Sequence, residues 1–187
     1  MNLFNFRYRI PSVHNPFWNY RSPGLYFVTI CTKFRVPYFG SITNGHIELS
    51  PIGKIVEFEL DKTTKIRNNV VLDEWAIMPN HVHVIIRILP PTDGVATHRG
   101  ASLQYRGTTK QKNNQPFNRF GPQSENLQAI VRGFKSEVKK WTNLYGLEFR
   151  WQMRYYDHII RDDSELKKIQ WYIRNNARVW KSDSMNR

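Results

Sequence analysis

Cysteine is almost missing from this 187-residue chain: Cys31 stands alone. That excludes an internal disulfide framework and any zinc site built on several cysteines. No apolar run approaches the ~20 residues a membrane-spanning helix needs, and the opening "MNLFNFRYRIPSVHNPFWNYRSPG" has no continuous apolar stretch of the secretory-signal kind. A cytoplasmic protein with no membrane partner is the expectation. Acid is scarce too: 15 Asp and Glu face 28 Lys and Arg, a formal net charge of +13. No long block of like charge carries the excess, so it is spread over a folded surface, and a phosphate-rich partner is the natural inference.

What the chain does have is a single domain's worth of residues with many rings, 11 Phe, 9 Tyr and 6 Trp. Most of these rings suit a packed core; exposed ones suit base stacking. Residues 1–23 carry three prolines and read as an irregular aromatic arm. "GLYFVTICTKF" is β-branched and aromatic and predicts a central strand, with Cys31 buried in it. A turn around "FGSITNG" leads to a short strand, "HIELS". Ser50 is a plausible N-cap and Pro51 a first-turn residue for a helix whose apolar stripe is Ile52, Ile55, Val56 and Leu60. "VVLDEWAIMP" and "HVHVIIRI" follow as strands joined by a tight Pro79-Asn80 turn. Residues 90–122 are short of aliphatics and predict a flexible basic loop, with Arg99, Arg106, Lys110, Lys112 and Arg119 against the single acid Asp93.

A second helix follows over "SENLQAIVRGFKSEVKKWTNLYG", with Leu127, Ile130, Val131, Phe134, Val138 and Trp141 on one face and Gly146 at its end. "FRWQMRYYDHIIRD" predicts the last strand. The closing helix has Asp162 and Glu165 at capping-box spacing and Leu166, Ile169 and Ile173 as its stripe. This order predicts an α+β fold, a ferredoxin-like sandwich with an antiparallel sheet of four to five strands and helices packed on it.

The chemistry concentrates in "MPNHVHVIIRI". On a strand, residues two apart share a face, so His81 and His83 converge on one point. An isolated His-x-His is more often a pair of satisfied polar residues than a ligand set. Here Val82, Val84 and Ile86 on the alternate face anchor the strand in the core and aim both imidazoles outward from a rigid base, half of a metal site. A third donor could be His158, on another strand, or could come from the closing helix, where Tyr172 and Asn176 are four apart and lie on one face. Tyr155 and Tyr156 are the competing phenols, and their alternation on a strand puts at least one of them in the core.

These residues resemble the HUH single-tyrosine transposases, and within them the REP-associated tyrosine transposases. The likeness extends over "YFVTICTKFRVPYFG", "MPNHVH", "VRGFKSEV", "WQMRYYDHIIRD" and "YIRNNARVWKSD". The last is similar to a Tyr-Ile-x-x-Asn-Pro-x-x-Trp-x-x-Asp pattern, with Ala177 in place of the proline and Tyr172, Asn176, Trp180 and Asp183 retained. The resemblance implies that Tyr172 is the nucleophile and that His81, His83 and Asn176 hold a divalent metal, Mg²⁺ or Mn²⁺; two imidazoles suit Mn²⁺ better. It implies cleavage and rejoining of single-stranded DNA at hairpins through a 5′-phosphotyrosine, and possession of a homodimeric or monomeric state, of which a dimer is the expectation. Lys135, Lys139 and Lys140 on the second helix join Arg99, Arg106, Lys110 and Lys112 as candidates for contacts to the DNA backbone. Three other readings stand beside this one: a domesticated hairpin-binding protein that no longer cuts, a rolling-circle or relaxase-type initiator, and a protein with a structural zinc.

Overall fold

The computed structural model describes residues 3–4, 7–8, 18–90, 126–183, 185 and 186. Residues 91–125 lie outside the described set, and with them Arg99, Arg106, Lys110 and Lys112. In the N-terminal arm, expected to be irregular, β1 (Leu3–Phe4) pairs antiparallel with β2 (Arg7–Tyr8).

The sheet is built on β3 (Gly24–Cys31). It pairs antiparallel with β7 (His81–Ile88) on one side and with β8 (Tyr156–Ile160) on the other, and β6 (Val70–Met78) closes the far edge beside β7. The strand order β6-β7-β3-β8, with α1 (Pro51–Ile66) between β3 and β6 and α2 (Leu127–Leu144) between β7 and β8, is the βαββαβ arrangement of a ferredoxin-like sandwich. Two helical crossovers, both packed on the same face of the sheet, carry the chain from β3 to β6 and from β7 to β8 and leave every neighbouring strand pair antiparallel.

Alternation along β3 and β7 divides the two faces. Tyr26, Val28, Ile30, Val82, Val84 and Ile86 pack with Val56 and Leu60 of α1 and Ile130, Phe134 and Val138 of α2 in the larger core. On the opposite face, Leu25, Ile85 and Ile160 meet Leu166 and Ile173 of α3 (Asp163–Val179). His81 and His83 belong to this second face, with Cys31 opposite His81 and Thr29 opposite His83 across the strand pair. The apolar alternation that keeps β7 in the sheet therefore fixes both imidazoles on one side, beneath α3.

The helix starts follow the sequence. Gly53 N donates to the Ser50 hydroxyl at 3.0 Å, and Pro51 opens α1; Glu165 N donates to the Asp162 carboxylate at 2.9 Å at the start of α3. Each such cap satisfies a helix N–H that has no partner within the helix.

Besides the β1–β2 pair, two elements differ from expectation. Gly40–Thr43 is a strand, β4, and pairs with β5 (His46–Leu49) as a hairpin outside the main sheet. Asn44 and Gly45 between them both have positive φ, 52° and 77°, the turn that Asn-Gly supplies most cheaply. The final strand is also shorter than "FRWQMRYYDHIIRD" suggests. Before Tyr156 the chain makes only an isolated bridge, Trp151 to Thr32, because Phe149 and Trp151 turn into the core and pack on Phe39.

Candidate active site

The Pro79-Asn80 turn delivers β7 to the site and then takes part in it. Asn80 is buried, and its backbone carbonyl accepts from Thr32 N at 2.9 Å and from the Thr32 hydroxyl at 3.0 Å, tying the turn to the end of β3. Its side-chain Nδ2 donates to Met185 O at 2.9 Å, which leaves Oδ1 facing His81 Nδ1 at 2.8 Å. An amide oxygen only accepts, so the proton of His81 is on Nδ1 and its Nε2 presents a lone pair. His83 Nδ1 meets the Thr29 hydroxyl at 2.9 Å, and its Nε2 lies 3.0 Å from His81 Nε2. Trp180 lies against the His81 ring and Phe27 stacks on His83, which limits rotation of either imidazole.

Both histidines are fully buried. Burial, then the charge of Arg35, pushes His81 down to about 3. Burial, then His81 itself, pushes His83 down to about 3, against an opposing pull from Asp183. Neutral imidazoles with inward-facing nitrogens are the form that ligates metal.

The other two groups come from α3. Its position over the sheet is set by the edge strand, where a register shift between Leu72 and Trp75 turns two acids toward the helix. Asp73 accepts from Gln170 Nε2 at 2.5 Å and from Arg87 at 3.0 Å, and Glu74 accepts from Arg174 Nε at 2.6 Å. Held this way, the helix places the Tyr172 hydroxyl 3.2 Å from His83 Nε2. Asn176, one turn on, is completely buried. Its Nδ2 donates to Asp183 Oδ2 at 3.3 Å, and since a carboxylate cannot donate, the amide oxygen is turned the other way. That Oδ1 is buried and has no hydrogen-bond partner among the described residues. Buried polar atoms are rarely left unsatisfied, and one in a site of converging donors marks a place for a ligand.

Two imidazole nitrogens and an orphaned amide oxygen form a donor set that fits a divalent cation. Among the described residues no group of three or more His, Cys, Asp or Glu is placed to hold a metal; Asn176 is a donor of another residue type. His158, the alternative third ligand, is engaged elsewhere: its Nε2 is 2.6 Å from Glu165 Oε1, beside the start of α3.

Tyr172 is half-buried. Burial and then the Asp183 carboxylate raise its pKa above the ordinary phenol value, while the Asn176 amide pulls the other way. Tyr155 packs against the large core, and burial lifts its pKa strongly; Tyr156 is exposed on the site face, its ring 6.4 Å from Phe27.

The lysines of α2 divide. Lys135 Nζ donates to Gln152 O at 2.6 Å and Lys139 Nζ to Phe149 O at 2.7 Å, so both brace the segment leading to β8. Lys140 is exposed, with Glu137 at 3.8 Å. Sequence reasoning did not single out Thr29, Asn80 or a positioning role for Asp183. The signal was present in the Pro-Asn pair directly before His81 and in the strand alternation that aligns Thr29 with the histidines.

No protein-family model matches the chain. An uncharacterized protein of Haemophilus influenzae (strain ATCC 51907 / DSM 11121 / KW20 / Rd) is 35% identical over 179 residues, 93% of this chain and 91% of that one. Among solved structures, a REP-associated tyrosine transposase bound to a REP hairpin superposes with a TM-score of 0.53 at 18% identity, over 97% of this chain and 74% of that chain. That likeness establishes a shared fold. Among the described residues no helix is long and apolar enough to cross a membrane.

Proposed function

The chain belongs to the same family as the Haemophilus influenzae protein, and from its site we propose that it is a metal-dependent transesterase that cleaves and rejoins single-stranded DNA, at hairpins, through Tyr172. The observation that carries the reading is the convergence of His81 Nε2, His83 Nε2 and the Tyr172 hydroxyl within 3.2 Å contacts, with the buried Asn176 Oδ1 one helical turn from Tyr172 left without a partner among the described residues. The fold it shares with a transposase bound to a REP hairpin supports the choice of substrate.

His81, His83 and Asn176 would hold the ion, Mn²⁺ or Mg²⁺. When bound it supplies positive charge that polarises a phosphate and opposes the charge building up during displacement. Everything else is done by the chain. Asn80 fixes the tautomer of His81, Thr29 holds the His83 ring in place, and Asp183 fixes the Asn176 amide. The turn of helix between Asn176 and Tyr172 sets the phenol oxygen beside the ligands, in reach of a phosphorus atom placed there. Attack by that oxygen forms a phosphotyrosine O–P bond, breaks the bond to the neighbouring 3′-oxygen, and leaves a 3′-hydroxyl that takes up the proton the phenol gave. A phenoxide leaves more readily than an alkoxide, so a second 3′-hydroxyl can reverse the step and join strands without ATP.

Burial and the Asp183 carboxylate hold the Tyr172 phenol above its ordinary value, and positive charge bound beside it would favour the phenoxide. The test is strand transfer. Purified protein is incubated with labelled single-stranded hairpin oligonucleotides from the flanks of its own gene, with Mn²⁺ or with chelator. Metal-dependent cleavage and joined products support the reading. Tight hairpin binding with no cleavage under any metal would make the protein a non-cleaving hairpin binder instead.

A further inference from the structure

Directly after β3 the chain makes an unusual turn. Lys33–Arg35 is a short 3₁₀ turn in which two successive non-glycine residues, Phe34 and Arg35, have φ of 57° and 56°. The left-handed region is costly for a large side chain, and it persists only where the surroundings hold it. They do so here: Lys33 N donates to Arg150 O at 2.8 Å, and the Thr32 hydroxyl donates to Val36 O at 2.8 Å.

The strain buys no core packing. Phe34 is 84% exposed, and across an open groove from it Met153 is 91% exposed. Among the described residues nothing apolar covers either. The cations lining the groove are Lys33, whose ammonium lies 5.0 Å from the Phe34 ring, and Arg35, whose guanidinium also donates to Met185 Sδ, and neither Lys33–Arg35 nor 149–154 contains an acid. An aromatic ring beside cations, in a groove whose described lining contains no acid, matches a nucleobase on a phosphate backbone. The groove is also close to the site. Cys31, opposite His81 in the sheet, is two residues before Lys33, and the charge of Arg35 acts on His81.

We propose that Phe34 is the stacking platform for one nucleobase of the single strand whose phosphate is presented to His81 and His83, with Met153 as the second apolar wall and Lys33 and Arg35 on the adjoining phosphates. This rests on the single-strand reading above and adds to it a base-binding subsite. A rigid ring loses little freedom on stacking, and stacking is tolerant of sequence, so the subsite would hold the strand in register rather than read a base.

The experiment compares wild type, Phe34→Ala, Phe34→Gly and Phe34→Tyr in binding short labelled single-stranded DNA of mixed sequence, and the same strand made abasic throughout. Phe34→Ala should weaken binding to the base-bearing strand by about tenfold and leave binding to the abasic strand unchanged; Phe34→Tyr should restore it. Phe34→Gly should bind as weakly as Phe34→Ala while melting no lower than wild type, because glycine relieves the positive φ. Equal weakening on both strands, or a lower melting temperature for Phe34→Gly, would make the residue structural and overturn the inference. Unchanged binding by Phe34→Ala alongside normal cleavage would overturn it alone. Phe34-dependent binding without cleavage would leave it standing and remove the transesterase. A wild type that binds no single strand would overturn both.

Discussion

His81 Nε2 and His83 Nε2 face each other at 3.0 Å, and Asn80 fixes the first of them as a lone pair. Two such nitrogens in a buried site favour a cation between them. A divalent metal present at about a hundred times its dissociation constant adds ~2.7 kcal/mol to stability, or about 5–10 °C in melting temperature for a chain of this size. Mn²⁺ titration followed by thermal melting checks it, and His81→Ala should abolish the rise.

Acid should destabilise the metal-free protein in a defined window. Folding lowers both imidazole pKa values from about 6.5 to about 3, so the unfolded chain binds more protons between those limits. Stability is therefore intact above about pH 6.5 and falls as pH drops toward 3, with a limiting slope of about 1.4 kcal/mol per pH unit for each histidine. Urea melts across this range measure the slope. Removing one imidazole, as in His83→Gln, should flatten it.

Asp183 matters because its carboxylate accepts from Asn176 Nδ2 and leaves Asn176 Oδ1 free to act as a donor to a metal. Asp183→Ala should weaken Mn²⁺ binding by about 10–100-fold, the range seen when a ligand loses the partner that orients it. Asn176→Ala should lose at least as much. Asn176→Asp keeps an oxygen donor and should retain affinity. Calorimetric titration distinguishes the three.

The lysines of α2 should separate by role. Lys139→Ala removes a hydrogen bond to Phe149 O and should cost about 1 kcal/mol of stability. Lys140→Gln should leave stability within about 0.5 kcal/mol; if Lys140 meets a phosphate, it also reduces the salt dependence of DNA binding by about one unit. Denaturant melts and binding at several salt concentrations give both numbers.

The parts of this fold written in local patterns could be read from the sequence. The alternation in β3 and β7, the caps at Ser50 and Asp162, and the pairing of Tyr172 with Asn176 by helical spacing each depend on residues a few positions apart, and each is found in place. What could not be read depends on distant groups. Glu165 draws His158 away, a preference set by the geometry of β8 against α3. Lys135 and Lys139 look like surface charge until the Phe149–Met153 carbonyls are brought to them. The β4–β5 hairpin was half visible: Asn44-Gly45 announced the turn, but Gly40–Thr43 is too short and too polar to stand out as a strand. Thr29, Asn80 and Asp183 leave only faint traces in sequence, the Pro-Asn pair before His81, the alternation of β3 and a place in the closing pattern, because their roles are set by the distant groups they touch.

The account stands or falls on the nucleophile. Wild type and Tyr172→Phe are incubated with hairpin-bearing single-stranded DNA and Mn²⁺, resolved under denaturing conditions, and the covalent product is digested and mapped by mass spectrometry. The account predicts a 5′-phosphotyrosine adduct on the peptide containing Tyr172, absent with chelator and absent in Tyr172→Phe although that variant still binds the hairpin. An adduct on Tyr156, or cleavage that persists undiminished in Tyr172→Phe, would contradict it.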